Sequence, residues 1–411
     1  MKPPPHDPYQ ALRFSEYRRY LVGTCAMSMA SLIQSVVMGW QVYEITHSAL
    51  SLGLVGLAEA VPCLGLTLVG GYAADRMDRR TLALLSLAVL LAGGVLLLLM
   101  NLNGSPTVAW PFYAIQAMAG VGRAFIRPAS QALRTELVPR EAFANAASWN
   151  SSIFQTAMVL GPAAGGLLYG FGGARIAYGA EVALLLLGGV AIFRLGRYPR
   201  LTPVQGGILK SLKEGIAFVF SQQILLGAMS LDLFAVLFGG APALLPMFAA
   251  DVLKVGPQGL GVLRAAPAVG SILVSLVLAH RKPMARAGRT LLVSVALFGL
   301  CWISFAFSTS LLLSLVLLAI SGALDSVSVV LRQTLLQIRT PETLMGRVSA
   351  VSSFFITSSN EIGAFESGVA ARLLGLIPSV VFGGLMTLGV VSVTTWKAPE
   401  LRKLKYLQPE G

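Results

Sequence analysis

The chain has 411 residues, 55% of them hydrophobic and 12% charged, and a net charge of +13. Soluble globular domains carry about 25% charged residues, so this chain lacks the polar side chains to cover a water-facing surface, and a soluble fold is excluded. The basic residues form no stripe on a soluble domain, which argues against a nucleic-acid partner and for loops that orient a membrane protein.

The N-terminal arm, MKPPPHDPYQALRFSEYRRY, is polar and basic, with no apolar core before a cleavage site, and reads as a short cytoplasmic arm rather than a signal peptide. A spanning helix needs about 20 largely apolar residues. Such runs predict helices near 20–45, 51–74, 81–101, 108–133, 144–170 and 176–195. After a longer connection they resume near 223–248, 257–279, 289–308, 310–336, 346–373 and 376–396. Runs such as Leu82–Met100 do not alternate polar and apolar residues, as barrel strands would. The fold class is therefore all-α and polytopic. The connection at 196–222 is basic and contains Gly206 and Gly207, and its second part, Ile208–Ser221, has helical spacing with Lys210 and Lys213 on one side. That pattern predicts an amphipathic helix on the inner membrane surface. It divides the chain into an N-terminal six-helix bundle (1–195), a cytoplasmic linker (196–222) and a C-terminal six-helix bundle (223–411).

Charge placement supports this count. With both termini inside, the arm, the even-to-odd connections and the tail hold 24 of the 31 Lys and Arg residues, and a miscounted helix would scramble that asymmetry. A repeat supports the two halves. A shift of 202 residues lays Pro139 on Pro341, Ala144 on Gly346, Gly161 on Gly363 and Gly166 on Gly368, without a gap. Parallel repeats about an axis along the membrane normal are the plan of one large transporter class.

Three motifs stand out. Gly71-Tyr-Ala-Ala-Asp75-Arg76-Met-Asp-Arg79-Arg80 lies between the second and third helices. Gly71 is expected to allow close helix contact. A carboxylate at Asp75 needs a cation or a helix N-terminus as partner. Read only as a topology-setting basic turn, the segment explains its arginines but not Asp75. Gly161-Pro162-Ala-Ala-Gly165-Gly166 lies in the fifth helix, where small residues admit close packing and Pro162 removes one backbone donor. The third motif is Trp40-Gln-Val-Tyr43-Glu44 followed by Ser51-Leu-Gly53-Leu-Val-Gly56.

The first motif resembles the signature loop of the major facilitator superfamily, with Ala73 and Asp78 as departures. The resemblance implies a fold of about 12 transmembrane helices in two pseudo-twofold-related bundles. It also implies that Gly71, Asp75, Arg76, Arg79 and Arg80 form a conformational-switch loop. The second resembles the fifth-helix motif of the superfamily's antiporters and implies export. The third is similar to the drug and siderophore exporter branch, which includes enterobactin exporters and macrolide-efflux proteins. Gln34 stands where many relatives carry an acid, and the fourth-helix Arg motif of proton-coupled members is out of register; both departures weigh against simple proton antiport.

An ionised side chain at mid-membrane costs at least ~2.5–3.5 kcal/mol, so each needs a reason. Arg123 and Asp325 fall within the fourth and tenth helices, and the 202-residue shift superimposes them. In the resembled fold those helices face each other across the cavity, so the two charges are expected to oppose; the alternative is that each is satisfied within its own half. Glu59, Asp232, Glu361 and Glu366 join Gln34 as candidates for substrate or proton coupling, with Glu181 as a further buried acid. Each taken singly also fits a packing role. Arg127, Arg264 and Arg332 are expected nearer helix ends, snorkelling. The five tryptophans are expected mostly at the membrane interfaces.

Cys25, Cys63 and Cys301 are too scattered for a disulfide framework, and the three histidines form no metal-ligand cluster. No metalloprotease, serine-hydrolase or phosphate-loop motif is present, so no catalytic residue and no cofactor is assigned. The chain reads as a non-enzymatic, monomeric transporter in a bacterial-type inner membrane. Its partners are membrane lipid, a small-molecule substrate and protons. The favoured function is export of amphipathic drugs or siderophore-like compounds by alternating access. The alternatives are a carrier for a lipid, metal or nutrient, including uptake, and more remotely an intramembrane enzyme.

Overall fold

The computed structural model describes residues 7–102, 104, 106–196, 208–239, 241–280, 286–341 and 344–404. Among these residues there is no strand, and the regular secondary structure is helical throughout. The helices are α1 (Ser15–Thr46), α2 (Ala49–Arg76), α3 (Arg79–Leu102), α4 (Trp110–Arg134) and α5 (Phe143–Phe193). The linker helix α6 (Ile208–Ser221) is present, followed by α7 (Gln223–Phe238). The short α8 (Leu245–Met247) sits between a 3-10 turn at Ala241–Leu244 and a π turn at Phe248–Val252. Then come α9 (Gly256–Ala279), α10 (Ala287–Ala306), α11 (Leu311–Arg339), α12 (Met345–Leu374), α13 (Leu376–Lys397) and α14 (Pro399–Lys403).

The predicted fifth and sixth spans run on within α5, and Gly173, at φ 69° and ψ −172°, breaks the run into two limbs. Only glycine enters that backbone region readily. The predicted seventh span is not one helix: α7 ends at Phe238, and the remainder of 223–248 lies in the irregular stretch around α8. Pro242 and Pro246 lie there, and each removes a backbone donor.

Among the described residues nine helices, with α5 counted once, are long and apolar enough to cross a membrane. Two spans fall short in composition. α4 carries Arg123, Arg127 and Arg134; α12 carries Arg347, Glu361, Glu366 and Arg372.

The residues form two compact units. The first holds the described residues up to Val37 and those from Val61 to Gly196. The second holds Met38–Ala60 and the described residues from Ile208 onward. The hairpin made by the end of α1 and the start of α2 thus belongs with the C-terminal helices. Val61 opens the first unit's share of α2, and Pro62 follows it inside the helix.

Helices close on one another at glycines. In the second unit a Cβ on Gly270 of α9 would overlap the Ala319 carbonyl of α11, and one on Gly322 of α11 would overlap the Pro267 carbonyl of α9. The Ser271 hydroxyl donates to the Gly322 carbonyl at 2.9 Å, and Ser275 and Ser326 meet at 3.2 Å. In the first unit the close approach of α2 to α4 falls at Gly70, against the Ala124 carbonyl. Gly71, the residue expected to make it, faces open space. One residue along a helix turns the face by about 100°.

The tryptophans divide. Trp110 and Trp396 are 69% and 77% exposed, as interface residues should be, but Trp40 and Trp302 are buried. Trp302 packs edge-on against Phe298 and Phe305.

Gly322→Ala should lower the stability of the detergent-purified protein by about 1–3 kcal/mol or more, because its methyl meets backbone rather than a yielding side chain. Gly65→Ala, at an open helical position, should be neutral or stabilising by up to ~1 kcal/mol. Paired thermal melts compare them.

Candidate functional site

Each unit carries one polar cluster, the first along α4 and the second between α7 and α11.

In the first unit, α1, α4 and α5 wall a groove of about 500 Å³. α4 presents Arg123, Arg127 and Arg134 to it, with Ser130 and Gln131 between them. Spacings of four and seven residues put the three arginines on one helical face. α1 contributes Thr24, Ser28 and Ser31, and α5 contributes Asn150, Phe154 and Met158. The lining is thus cationic and hydroxylic along one wall and apolar along the other. Arg127 lines this groove instead of snorkelling at a helix end.

Behind the groove sits Glu181, 1% exposed, on the second limb of α5. Its Oε1 would lie 3.1 Å from a Cβ on Gly94 of α3, a tight contact that the glycine relieves. The Arg123 charge acts on it. Arg123 therefore has an acidic neighbour inside its own unit.

The antiporter-type motif packs α5 on α1. A Cβ on Gly161 would come within 2.7 Å of Leu32, and one on Gly165 within 3.1 Å of the Ile33 Cα. Pro162 and Gly166 are buried alongside, and Gln34 is buried one residue beyond this contact on α1.

In the second unit, Asp232 of α7 is 7% exposed and forms an ion pair with Arg332 of α11. The Arg332 guanidinium also donates to Ser328 at 3.1 Å, one helical turn back. The Arg332 charge acts on Asp325 as well, and Asp325 acts on Asp232. Two acids share one cation. Arg332 was expected to snorkel; its side chain is 11% exposed because Asp232 holds it inward. Arg264 likewise turns inward, with its guanidinium against Gly39. Glu361 lies beside Gly56, and Glu366 accepts from the Ser367 hydroxyl at 3.4 Å. Glu59 is buried on α2.

The basic loop staples one end of the first unit. Asp78, where the resembled motif has Gly, accepts from the Thr81 amide at 2.9 Å and caps α3. Arg79 pairs with Glu136 and donates to the Ala132 carbonyl at 3.2 Å. Arg80 donates to the Phe193 carbonyl and stacks over its ring, and Arg76 lies 4.4 Å over the Tyr72 ring. Asp75 is the penultimate residue of α2; its side chain lies outside what is described. Lys213 is exposed on α6, the Lys210 side chain lies outside the described set, and Arg347 of α12 pairs with Glu214 of α6.

Sequence reasoning missed Glu136, Glu214 and Asp251. Asp251 lies in the π turn after α8 and accepts from the Tyr43 hydroxyl, while Trp40 Nε1 donates to Glu44 at 2.5 Å. For Asp251, an isolated acid following an apolar run was the available signal.

A family model described as transmembrane secretion effector matches residues 6–408. The enterobactin exporter EntS of Shigella flexneri is 28% identical over 402 residues, covering 93% of this chain and 92% of the exporter. EntS of Escherichia coli O139:H28 is 28% identical over 397 residues, with the same coverage. Among solved structures, the nucleoside transporter NupG matches with a TM-score of 0.72 at 10% identity, covering 93% of this chain and all of its own. A bacterial homolog of the human lysosomal transporter Spinster matches at 0.70 and 15% identity, covering 97% of each chain. These structural likenesses are of fold.

Arg332→Gln strands two acids and should cost roughly 3–5 kcal/mol. Asp232→Asn should cost less, because Arg332 keeps Asp325. Melting curves of the two variants should rank in that order. For the basic loop, burial pushes the Glu136 carboxyl above its ordinary range, against the pull of Arg79. A carboxyl raised in the folded state holds a proton that the unfolded chain has released, so its contribution to stability falls as pH climbs through that window. Arg79→Ala should widen the window and lose on the order of 1 kcal/mol more at pH 8 than at pH 5. Glu136→Gln in that background should abolish the difference.

Proposed function

Because the chain belongs to the transmembrane secretion effector family of major facilitator transporters, we propose that it exports amphipathic, anionic small molecules of the siderophore type in exchange for protons. It does so from a bacterial inner membrane with both termini in the cytoplasm. The observation that carries this reading is the groove of the first unit, which Arg123, Arg127 and Arg134 line from one face of α4. Guanidinium groups bind planar, oxygen-rich anions through paired donors, and a partly desolvated site strengthens each contact. The apolar wall at Phe154 and Met158 takes the rest of an amphipathic molecule. Relatives named as enterobactin exporters support the substrate class and the direction.

Exchange also limits where the proton goes. A proton on Glu181 would release Arg123 and strengthen anion binding, which couples proton and substrate in the same direction. Antiport needs the proton elsewhere. Asp232 and Asp325, with Glu361 and Glu366 on α12, are the acids of the second unit suited to that role. Substrate and proton then drive each other through their differential affinities for the two states of the alternating-access cycle.

The test is transport in proteoliposomes with an imposed pH gradient, across catecholates, dyes and macrolides. An acidic lumen should drive catecholate accumulation through inside-out molecules. Arg127→Gln should reduce it about tenfold, the value of one charged hydrogen-bonding contact. Asp325→Asn should abolish the dependence on the gradient while substrate-for-substrate exchange persists. If nothing in the panel moves in either direction, the reading is abandoned.

A further inference from the structure

A second groove, of about 470 Å³, lies between α7 and α13 in the second unit. One wall runs from Gln223 to Phe234 on α7, the other from Met386 to Lys397 on α13. Eleven residues of helix rise about 16 Å, and the hydrocarbon core of a bilayer is about 30 Å thick, so both walls span one leaflet.

The groove is graded along that length. Phe234, Met386, Val390 and Val393 form its deep part, and Gln223 and Lys397 stand at its polar end. The Gln223 side chain donates to the Lys397 carbonyl at 3.1 Å and ties the two helices together at the mouth. Trp396, 77% exposed, stands beside it at the level where interfacial aromatics sit. Lys397, Arg402 and Lys403 are exposed here, with Glu400 as the acid among them.

We infer that this groove is a binding site for an anionic phospholipid, with one acyl chain between α7 and α13 and the phosphate on Lys397. The observations favouring a lipid are the match of the groove to one leaflet, its apolar depth and the net positive charge at its mouth. Cations at a membrane surface select negatively charged headgroups. This inference does not rest on the transported substrate, and it can fail or stand without it.

Gly389 gives the means to test it. A Cβ there meets nothing within 4 Å, and the residue lines the groove, so the side chain of Gly389→Leu starts in open groove space. The probe is phosphatidylglycerol added to the detergent-purified full chain, read by thermal melting and by native mass spectrometry. Phosphatidylcholine of the same chains and glycerol 3-phosphate are the comparison ligands.

Phosphatidylglycerol should raise the melting temperature and remain bound, while phosphatidylcholine does so more weakly and glycerol 3-phosphate not at all. Lys397→Gln should reduce the preference for phosphatidylglycerol about fivefold. Gly389→Leu should abolish the shift while melting no lower than the parent without lipid. Equal shifts with both lipids, a shift reproduced by glycerol 3-phosphate, no shift at all, or a shift that survives both substitutions would each overturn the assignment.

Discussion

Apolar side chains inside a bilayer find as good a partner in lipid as in one another, so the cohesion of these helices depends on the close approach of their backbones. The glycine contacts show where that happens. Gly270 and Gly322 clasp α9 to α11 reciprocally, each against a carbonyl of the other helix. Gly70 sets α2 on the Ala124 carbonyl of α4, and Gly161 and Gly165 set α5 on α1. A carbonyl in a helix cannot yield as a side chain does. The contacts made on carbonyls, at Gly70, Gly270 and Gly322, therefore admit one arrangement and stiffen each unit, whereas Gly161 meets the more yielding Leu32 side chain. Stiffness is what allows a charge held at one depth to stay there.

The charged helices are the counterpart of that stiffness. An ionised group in hydrocarbon needs a partner, and the structure supplies partners unevenly. The first unit sets Arg123, Arg127 and Arg134 on α4 with Glu181 behind them, an excess of cations. The second sets Asp232 and Asp325 around Arg332, an excess of anions. The 202-residue repeat superimposes Arg123 on Asp325, so one position in the duplicated plan carries opposite signs. The two units thus carry different electrostatic roles.

The spans were legible because length and apolarity decide membrane insertion directly, and the linker helix because Lys210 and Lys213 share a side. The α8 region was less legible. Apolarity continues unbroken through 223–248, yet the helix stops at Phe238 before Pro242 and Pro246. Contacts were least legible. Gly70 and Gly71 have identical composition, and only the rotation of α2 decides which meets α4. Arg332 reads as a snorkelling residue until Asp232, a hundred positions away, is found beside it. Trp302 reads as an interface residue until Phe298 and Phe305 enclose it.

The hairpin Met38–Ala60 shows what a family-like motif can encode. Trp40, Tyr43, Glu44, Gly53 and Gly56 carried the resemblance to the exporter branch, and all lie within it. Tyr43 donates to Asp251, a Cβ on Gly53 would crowd the carbonyls of Ala364 and Phe365, and Gly56 faces Ala364. Arg264 closes on Gly39 in the same hairpin. These contacts are packing and hydrogen bonds to the second unit, not the lining of the arginine groove. The motif therefore fixes a hairpin to helices far along the chain, while α1 and α2 continue from it into the first unit. The chain passes from one unit to the other inside α1, at Val37–Met38, and inside α2, at Ala60–Val61. Pro62, just inside the first unit's share of α2, has no amide to donate to the helix.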